Sequence, residues 1–85
     1  MIQISEIMDN IVDNFETLKL TVETADGCIV TSSIYPVSYK IENQTIYIYD
    51  DEMSETIINY KDAELIEDAI IIYGSNYVIT LERSL

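Results

Sequence analysis

The spacing of the apolar residues changes once along the chain, near Phe15, and this change limits the folds that the chain can adopt. Before that point the apolar residues recur at the three-and-four spacing of one helix face. After it they alternate with polar residues, as in the half-buried strand that Leu18, Leu20 and Val22 would form. We therefore predict an amphipathic helix over about residues 5–16 and a β-rich region over residues 18–82.

Turn residues divide the β-rich region into strands that are joined by short connections. A three-residue loop at 25–27 would pair Val22 with Val30, which sets apolar opposite apolar. Pro36 interrupts the next apolar run and cannot donate to a sheet ladder, so it predicts a bulge or a bend. Gly74 opens a tight turn between the last two strands. The segment 62–68 fits either a helical turn or a bent connection.

These elements predict an α+β fold, with an N-terminal amphipathic helix followed by a curled antiparallel sheet or small barrel of five to six strands. At 85 residues the chain has no room for a second core, so residues 1–85 are expected to form a single domain. One helix followed by about five strands, with a long second strand that bends at Pro36, resembles the Sm-like and SH3-like small barrels in topology.

The apolar positions of the helix face and of the inward strand faces give a predicted hydrophobic core. A chain of this size buries about 60% of the surface that its unfolded state exposes, which is enough for a modest core. The predicted core residues are Ile7, Met8, Ile11, Val12, Phe15, Leu18, Leu20, Val22, Val30, Ile34, Ile41, Ile46, Ile48, Ile58, Ile70, Ile72, Ile79 and Leu81.

Net charge is the sequence property that most restricts function. The chain has 16 Asp and Glu against 4 Lys and Arg and no His, which gives a formal net charge of -12. Such a charge repels nucleic acid and anionic lipid, so we expect neither to bind directly. Cys28 is the single cysteine, and no signal peptide is evident, so a cytoplasmic protein is expected.

No combination of residues in the sequence predicts catalysis or a bound cofactor. There is no His to activate a Ser or Thr, and so small a chain has little room for a cleft that holds two carboxylates of different pKa. The acids of 50–52 and Glu55 could bind Ca²⁺, but the alternating ligands and central Gly of an EF-hand are absent. We favour a solvated acidic loop, with no enzyme activity, no metal and no cofactor.

The acids are concentrated between residues 50 and 68, where eight carboxylates accompany one base, Lys61. Their mutual repulsion costs stability, so a charge beyond the needs of solubility indicates another role. Carboxylates on one face of a strand lie about 6.6 Å apart, which is close to the spacing of phosphates along a nucleic-acid strand. An array of this kind would fit a basic groove that is built for DNA. The outer helix face, with Glu6, Asp9, Asp13 and Glu16, is the alternative acidic surface.

Tyrosine is the second residue type that suggests a binding surface, because it is enriched among the residues that dominate interface affinity. Tyr47 and Tyr49 have outward parity and lead into the acidic segment, although tyrosine also suits an ordinary sheet surface. The predicted partner-binding residues are Asp50, Asp51, Glu52, Glu55, Asp62, Glu64, Glu67, Asp68, Tyr47, Tyr49 and Tyr60.

In size, charge and lack of catalytic motifs the chain resembles the small acidic phage proteins that mimic DNA, which include anti-CRISPR inhibitors of Cas nucleases. The resemblance implies a non-enzymatic inhibitor that occupies the basic groove of a nucleic-acid-binding protein such as a CRISPR nuclease. The alternative is a homo-oligomeric or assembly-subunit β-module, for instance a homodimer, whose acidity serves solubility or a basic protein neighbour.

Overall fold

A computed structural model of the chain describes residues 3–67 and 69–84, and in these residues one helix is followed by eight strands. The α+β prediction is confirmed, but the strands outnumber the five to six that were expected. The helix is also shorter than predicted. The elements are α1 (Ile4–Asp13), β1 (Thr17–Thr24), β2 (Ile29–Ile34), β3 (Pro36–Glu42), β4 (Thr45–Asp50), β5 (Glu55–Asn59), β6 (Ala63–Ile66), β7 (Ala69–Tyr73) and β8 (Tyr77–Ser84).

The strands form two antiparallel sheets, so the prediction of one curled sheet or small barrel is wrong. One sheet has the order β2-β1-β8-β7-β6 and the other has the order β3-β4-β5. The chain passes between them at Tyr35, next to Pro36, where the ladder of β3 with β4 shifts register. Because Pro36 lacks an N–H, it interrupts the long strand, and the residues after it pair with β4. The ambiguous segment 62–68 contains a strand, β6, which pairs with β7.

The first hairpin has the predicted three-residue loop. Thr24 N–H donates to the Cys28 carbonyl over 2.9 Å, and Gly27 has a φ of 93°. This left-handed conformation is open to Gly because it has no Cβ. The loop sets Val22 opposite Val30, as the hydrophobic pattern predicted.

The hydrophobic core draws on the helix and on both sheets. Phe15 was predicted to lie in this core, but 77% of it is exposed, and Val30 is exposed as well. Several other predicted members are only half-buried: Val12, Leu20, Val22, Ile41 and Ile79. The buried residues of the hydrophobic core are Ile7, Met8, Ile11, Leu18, Ile34, Ile46, Ile48, Ile58, Ile70, Ile72 and Leu81.

Phe15 leaves the core because the helix ends before it. Glu16 N–H donates to the Ile11 carbonyl over 2.9 Å and Phe15 N–H to the Val12 carbonyl over 3.2 Å, which is the Schellman arrangement. This arrangement places Phe15 in the left-handed region, with a φ of 54°. The helix therefore ends at Asp13, two residues before Phe15, and the Phe15 side chain turns towards solvent.

We expect Phe15→Gly to stabilise the protein by up to about 1 kcal/mol, because glycine relieves the left-handed strain and little buried area is lost. Phe15→Ala is the control, with an expected change within about 0.5 kcal/mol of zero. Urea unfolding of the three proteins measures these differences. If Phe15→Ala instead costs the roughly 3–5 kcal/mol of a core phenylalanine, the exposed position is wrong.

Tyr39 connects the helix to β3. Its hydroxyl donates to Asp9 Oδ1 over 2.6 Å and lies 3.1 Å from the Ser5 carbonyl oxygen. Burial raises the pKa of the Tyr39 phenol, and the hydrogen bond to Asp9 raises it further. The neutral phenol therefore stabilises the folded state at neutral pH.

We expect Tyr39→Phe to cost about 1 kcal/mol, or a fall in Tm of about 4–8 °C, because the hydrogen bond to Asp9 is lost. A raised folded-state pKa gives stability that is present below the unfolded pKa of about 10 and is lost as pH rises through the folded value. The wild type should therefore lose stability above about pH 10, and Tyr39→Phe should lose less. Thermal unfolding from neutral to alkaline pH measures both effects, with exposed Tyr35→Phe as the control. Equal alkaline losses in all three proteins would contradict the expectation.

Candidate partner-binding surface

The central strand of the three-stranded sheet, β4, separates buried from outward side chains as the sequence predicted. Ile46 and Ile48 are fully buried, whereas Tyr47 and Tyr49 are half-buried on the opposite face. Tyr47 lies opposite Ile57 on β5, which is 57% exposed. We call Tyr47, Tyr49 and Ile57 the tyrosine face.

One cation contacts the tyrosine face from β3. Lys40 lies opposite Tyr47, and its Nζ is 4.7 Å from the centre of the Tyr47 ring and 3.5 Å from Glu42 Oε2. The Tyr49 phenolate that forms at alkaline pH, and then the Glu42 carboxylate, raises the pKa of Lys40. An ammonium over a ring is attracted by the ring electrons, so Lys40 orients Tyr47 while Glu42 offsets its charge.

Carboxylates adjoin the tyrosine face on its other side. Glu55 lies opposite Tyr49, and hydrogen bonding of the Tyr49 hydroxyl to Glu55 is the main cause that raises the pKa of Tyr49. A neutral phenol next to a carboxylate can donate to that carboxylate or to a partner. The pair therefore presents an aromatic ring and a negative charge together.

The connection between β4 and β5 presents further acids at the end of the same sheet. Asp50 Oδ1 accepts the N–H of Glu52 over 2.9 Å and the N–H of Ser54 over 2.8 Å, so Asp50 holds the turn together. Asp51 and Glu52 are exposed, and Met53 at the tip is 96% exposed with a φ of 64°. We call residues 50–55 the acidic loop.

The remaining predicted acids belong to the other sheet. Asp62, Glu64 and Glu67 are exposed around β6, and Glu64 Oε2 accepts the Tyr73 hydroxyl over 2.9 Å, a bond that raises the pKa of Tyr73. Asp68 lies outside the described residues. The acidic segment is therefore divided between the acidic loop and the β6 edge.

The expected array of carboxylates about 6.6 Å apart along one strand is wrong. Among the described residues of the acidic segment, each strand carries a single acid: Asp50 on β4, Glu55 on β5 and Glu64 on β6. The others lie in turns, as with Asp51 and Glu52, which follow Asp50 directly and so interrupt the alternation of apolar and polar residues. Any match to a row of phosphates must come from the turns.

Tyr60 packs against the hydrophobic core and does not share the outer face of Tyr47 and Tyr49. It is half-buried against the hydrophobic core, and its N–H donates to the Gln44 carbonyl over 3.0 Å. Tyr60 follows the last residue of β5 and supports the sheet. Of the three predicted tyrosines, Tyr47 and Tyr49 therefore lie on the tyrosine face.

The alternative acidic surface on the outer helix face is partly engaged within the protein. Asp9 accepts the Tyr39 hydroxyl, and Glu16 Oε2 lies 3.6 Å from Arg83 Nε. Glu6 and Asp13 are exposed. The helix therefore offers fewer unengaged carboxylates to a partner than its sequence suggested.

Three residues of this surface were not predicted from the sequence: Lys40, Met53 and Ile57. Lys40 and Ile57 are outward neighbours of Tyr47, which the pairing of β3, β4 and β5 reveals. The prediction of Ile58 in the core already placed Ile57 on the outer face, but its position opposite Tyr47 depends on the register of β5 with β4. The exposure of Met53 could not be predicted from the sequence, because it depends on the turn that the hydrogen bonds to Asp50 stabilise.

Comparison with protein-family models, with curated proteins and with solved structures gave no match. In the described part of the chain, no cluster of His, Cys, Asp or Glu is arranged to hold a metal ion. The described residues also contain no helix with the length and apolar character needed to cross a bilayer. The surface is thus defined by its own geometry: two tyrosines and exposed apolar side chains beside a carboxylate-rich turn.

Proposed function

We propose that this protein is a non-enzymatic, acidic DNA-mimic inhibitor that occupies the basic groove of a nucleic-acid-binding protein, such as a CRISPR nuclease. The observation that carries the proposal is the position of the acidic loop beside the tyrosine face. One end of the three-stranded sheet thus combines negative charge with aromatic and apolar side chains.

Charge and apolar contact have separate roles in this proposal. A net charge of -12 steers the protein towards a positive groove and raises the rate of association. Exposed charges contribute little affinity once water and salt screen them, so desolvated side chains must hold the complex. Tyr47, Tyr49 and Met53 supply such side chains within the surface that carries Asp51 and Glu52.

The proposed partner lies in the cytoplasm, where nucleic-acid enzymes act. Cys28 is an exposed free cysteine, which is compatible with a reducing compartment. The acidic groups themselves oppose direct binding of nucleic acid. The protein would therefore act on the enzyme and not on its substrate.

A panel of purified RNA-guided Cas nucleases and other DNA-binding enzymes tests the proposal. Each enzyme is incubated with this protein before labelled target DNA is added, and both DNA binding and cleavage are measured. We expect at least one enzyme to lose DNA binding, with less inhibition at higher salt because the charges are screened. If every enzyme binds DNA equally well with and without the protein, the proposal is wrong.

A further inference from the structure

The edge strands of the two sheets differ in their protection against pairing with other strands. Among the described residues, the edges are β2 and β6 in one sheet and β3 and β5 in the other. Charged residues and proline protect an exposed edge from pairing. β3 carries Pro36 and Lys40, β5 carries Glu55 and β6 carries Glu64, whereas β2 carries no charge and no proline.

β2 is also exposed along almost its whole length. Every residue except Ile34 is exposed, and Ile29 and Val30 are 63% and 62% accessible. None of its six residues carries a charge, although the chain has a net charge of -12. An uncharged strand offers no carboxylate to a basic peptide, so it favours an uncharged partner strand.

The direction of the backbone groups follows from the first hairpin. Thr24 and Cys28 are joined by a backbone hydrogen bond, and in an antiparallel ladder every second pair is hydrogen-bonded. The pairs that Val22, Leu20 and Leu18 make with β2 are therefore hydrogen-bonded as well. The even-numbered residues of β2 therefore bond to β1. The N–H and C=O groups of Ile29, Thr31 and Ser33 point to the free edge.

We propose that β2 pairs with β2 of a second copy of this chain, antiparallel, about a two-fold axis at Ser32. In this register Thr31 and Ser33 of opposite copies exchange backbone hydrogen bonds, and Val30 lies opposite Ile34. Apolar residues then meet apolar residues and polar residues meet polar ones. A shift by two residues would set Val30 opposite Ser32, which lacks this match.

The pairing gives a reason for the exposure of Val30. Its Cα partner on β1 is Val22, so its side chain shares the inner sheet face with Val22. The second copy would place its Ile34 beside Val30 and extend the apolar face across the axis. The two five-stranded sheets would then join into one continuous sheet.

This inference is independent of the proposed inhibitory function, and salt separates the two. Two copies that each carry -12 repel one another, so higher salt should strengthen the dimer. Binding of the acidic loop to a basic groove should weaken under the same change. Inhibition can therefore be observed without a dimer, and a dimer can be observed without inhibition.

Light scattering on the full chain is the first test. We expect a mass of twice the 9.8 kDa of one chain at high micromolar concentration, with a larger dimer fraction as salt increases. Thr31→Pro removes an N–H that points only to the free edge, and it should give a monomer. A wild type of 9.8 kDa at every salt concentration, or a dimer that Thr31→Pro leaves intact, would overturn the proposal.

Cysteine cross-linking tests the register. In a Cys28→Ser background, Ser32→Cys should form a disulfide-linked dimer on mild oxidation, because the two Ser32 residues are a facing pair without backbone hydrogen bonds, about 4.5 Å apart at Cα. Thr31→Cys is the matched control and should remain unlinked, because it faces Ser33 of the other copy. Cross-linking through Thr31→Cys but not Ser32→Cys would overturn the proposed axis.

Discussion

Replacing Asp51 and Glu52 together by lysine should weaken binding to the proposed basic partner by about 30- to 1,000-fold at low salt. An exposed ion pair contributes about 0.5–1 kcal/mol, and reversal exchanges that attraction for a similar repulsion, so two reversals cost about 2–4 kcal/mol. Asp50 is left unchanged because its carboxylate accepts the N–H groups of Glu52 and Ser54. The measurement is the dissociation constant for an enzyme that the protein inhibits.

The matched control reverses Glu6 and Asp13, two exposed acids of α1. Both double variants change the net charge from -12 by four units to -8, so they differ only in where the charge is lost. We expect the helix variant to weaken binding much less than the loop variant. If the helix variant is the weaker binder, the site lies on α1, and equal small losses would show that the charge serves solubility.

Ile48→Ala should destabilise the protein by about 3 kcal/mol, which lowers Tm by about 10–25 °C for a chain of this size. Ile48 is fully buried on β4, the central strand of its sheet, and belongs to the core cluster that includes residues of α1. Removing its methyl groups leaves a cavity that the neighbouring strands only partly close. Urea or thermal unfolding measures the change.

Ile57→Ala is the matched control for this substitution, since the same residue type is truncated on the adjacent strand. Ile57 is 57% exposed, so its loss should change stability by no more than about 0.5 kcal/mol. Its place on the tyrosine face predicts that partner binding weakens instead. If the two variants are equally destabilised, the assignment of inner and outer faces is wrong.

The hydrophobic pattern predicted those parts of the fold that depend on local spacing. The helix face of Ile7 and Ile11, the loop before Cys28 and the irregularity at Pro36 all follow from neighbouring residues. The number of sheets could not be predicted from local spacing, because it depends on which strands pair with the residues after Pro36. Phe15 was misplaced because the helical spacing includes it while the backbone ends the helix before it.

The candidate surface was predictable to a similar extent. The outward position of Tyr47 and Tyr49 follows from the alternation in β4, and the acids of the following turn follow from composition. The division of the acids between two sheets did not follow, because it depends on β5 and β6 pairing in different sheets. The exposure of Met53 depends on its left-handed backbone conformation, which no local sequence pattern predicts.

A competition experiment tests the central claim, that the acidic loop takes the place of nucleic acid, most directly. Labelled double-stranded DNA is bound to an enzyme that the protein inhibits, and fluorescence anisotropy is followed as wild type, the Asp51 and Glu52 double variant, or the Glu6 and Asp13 double variant is added. The wild type and the helix variant should displace the DNA completely, and the loop variant should require a much higher concentration. A ternary complex, in which the enzyme holds DNA and this protein together, would contradict the claim.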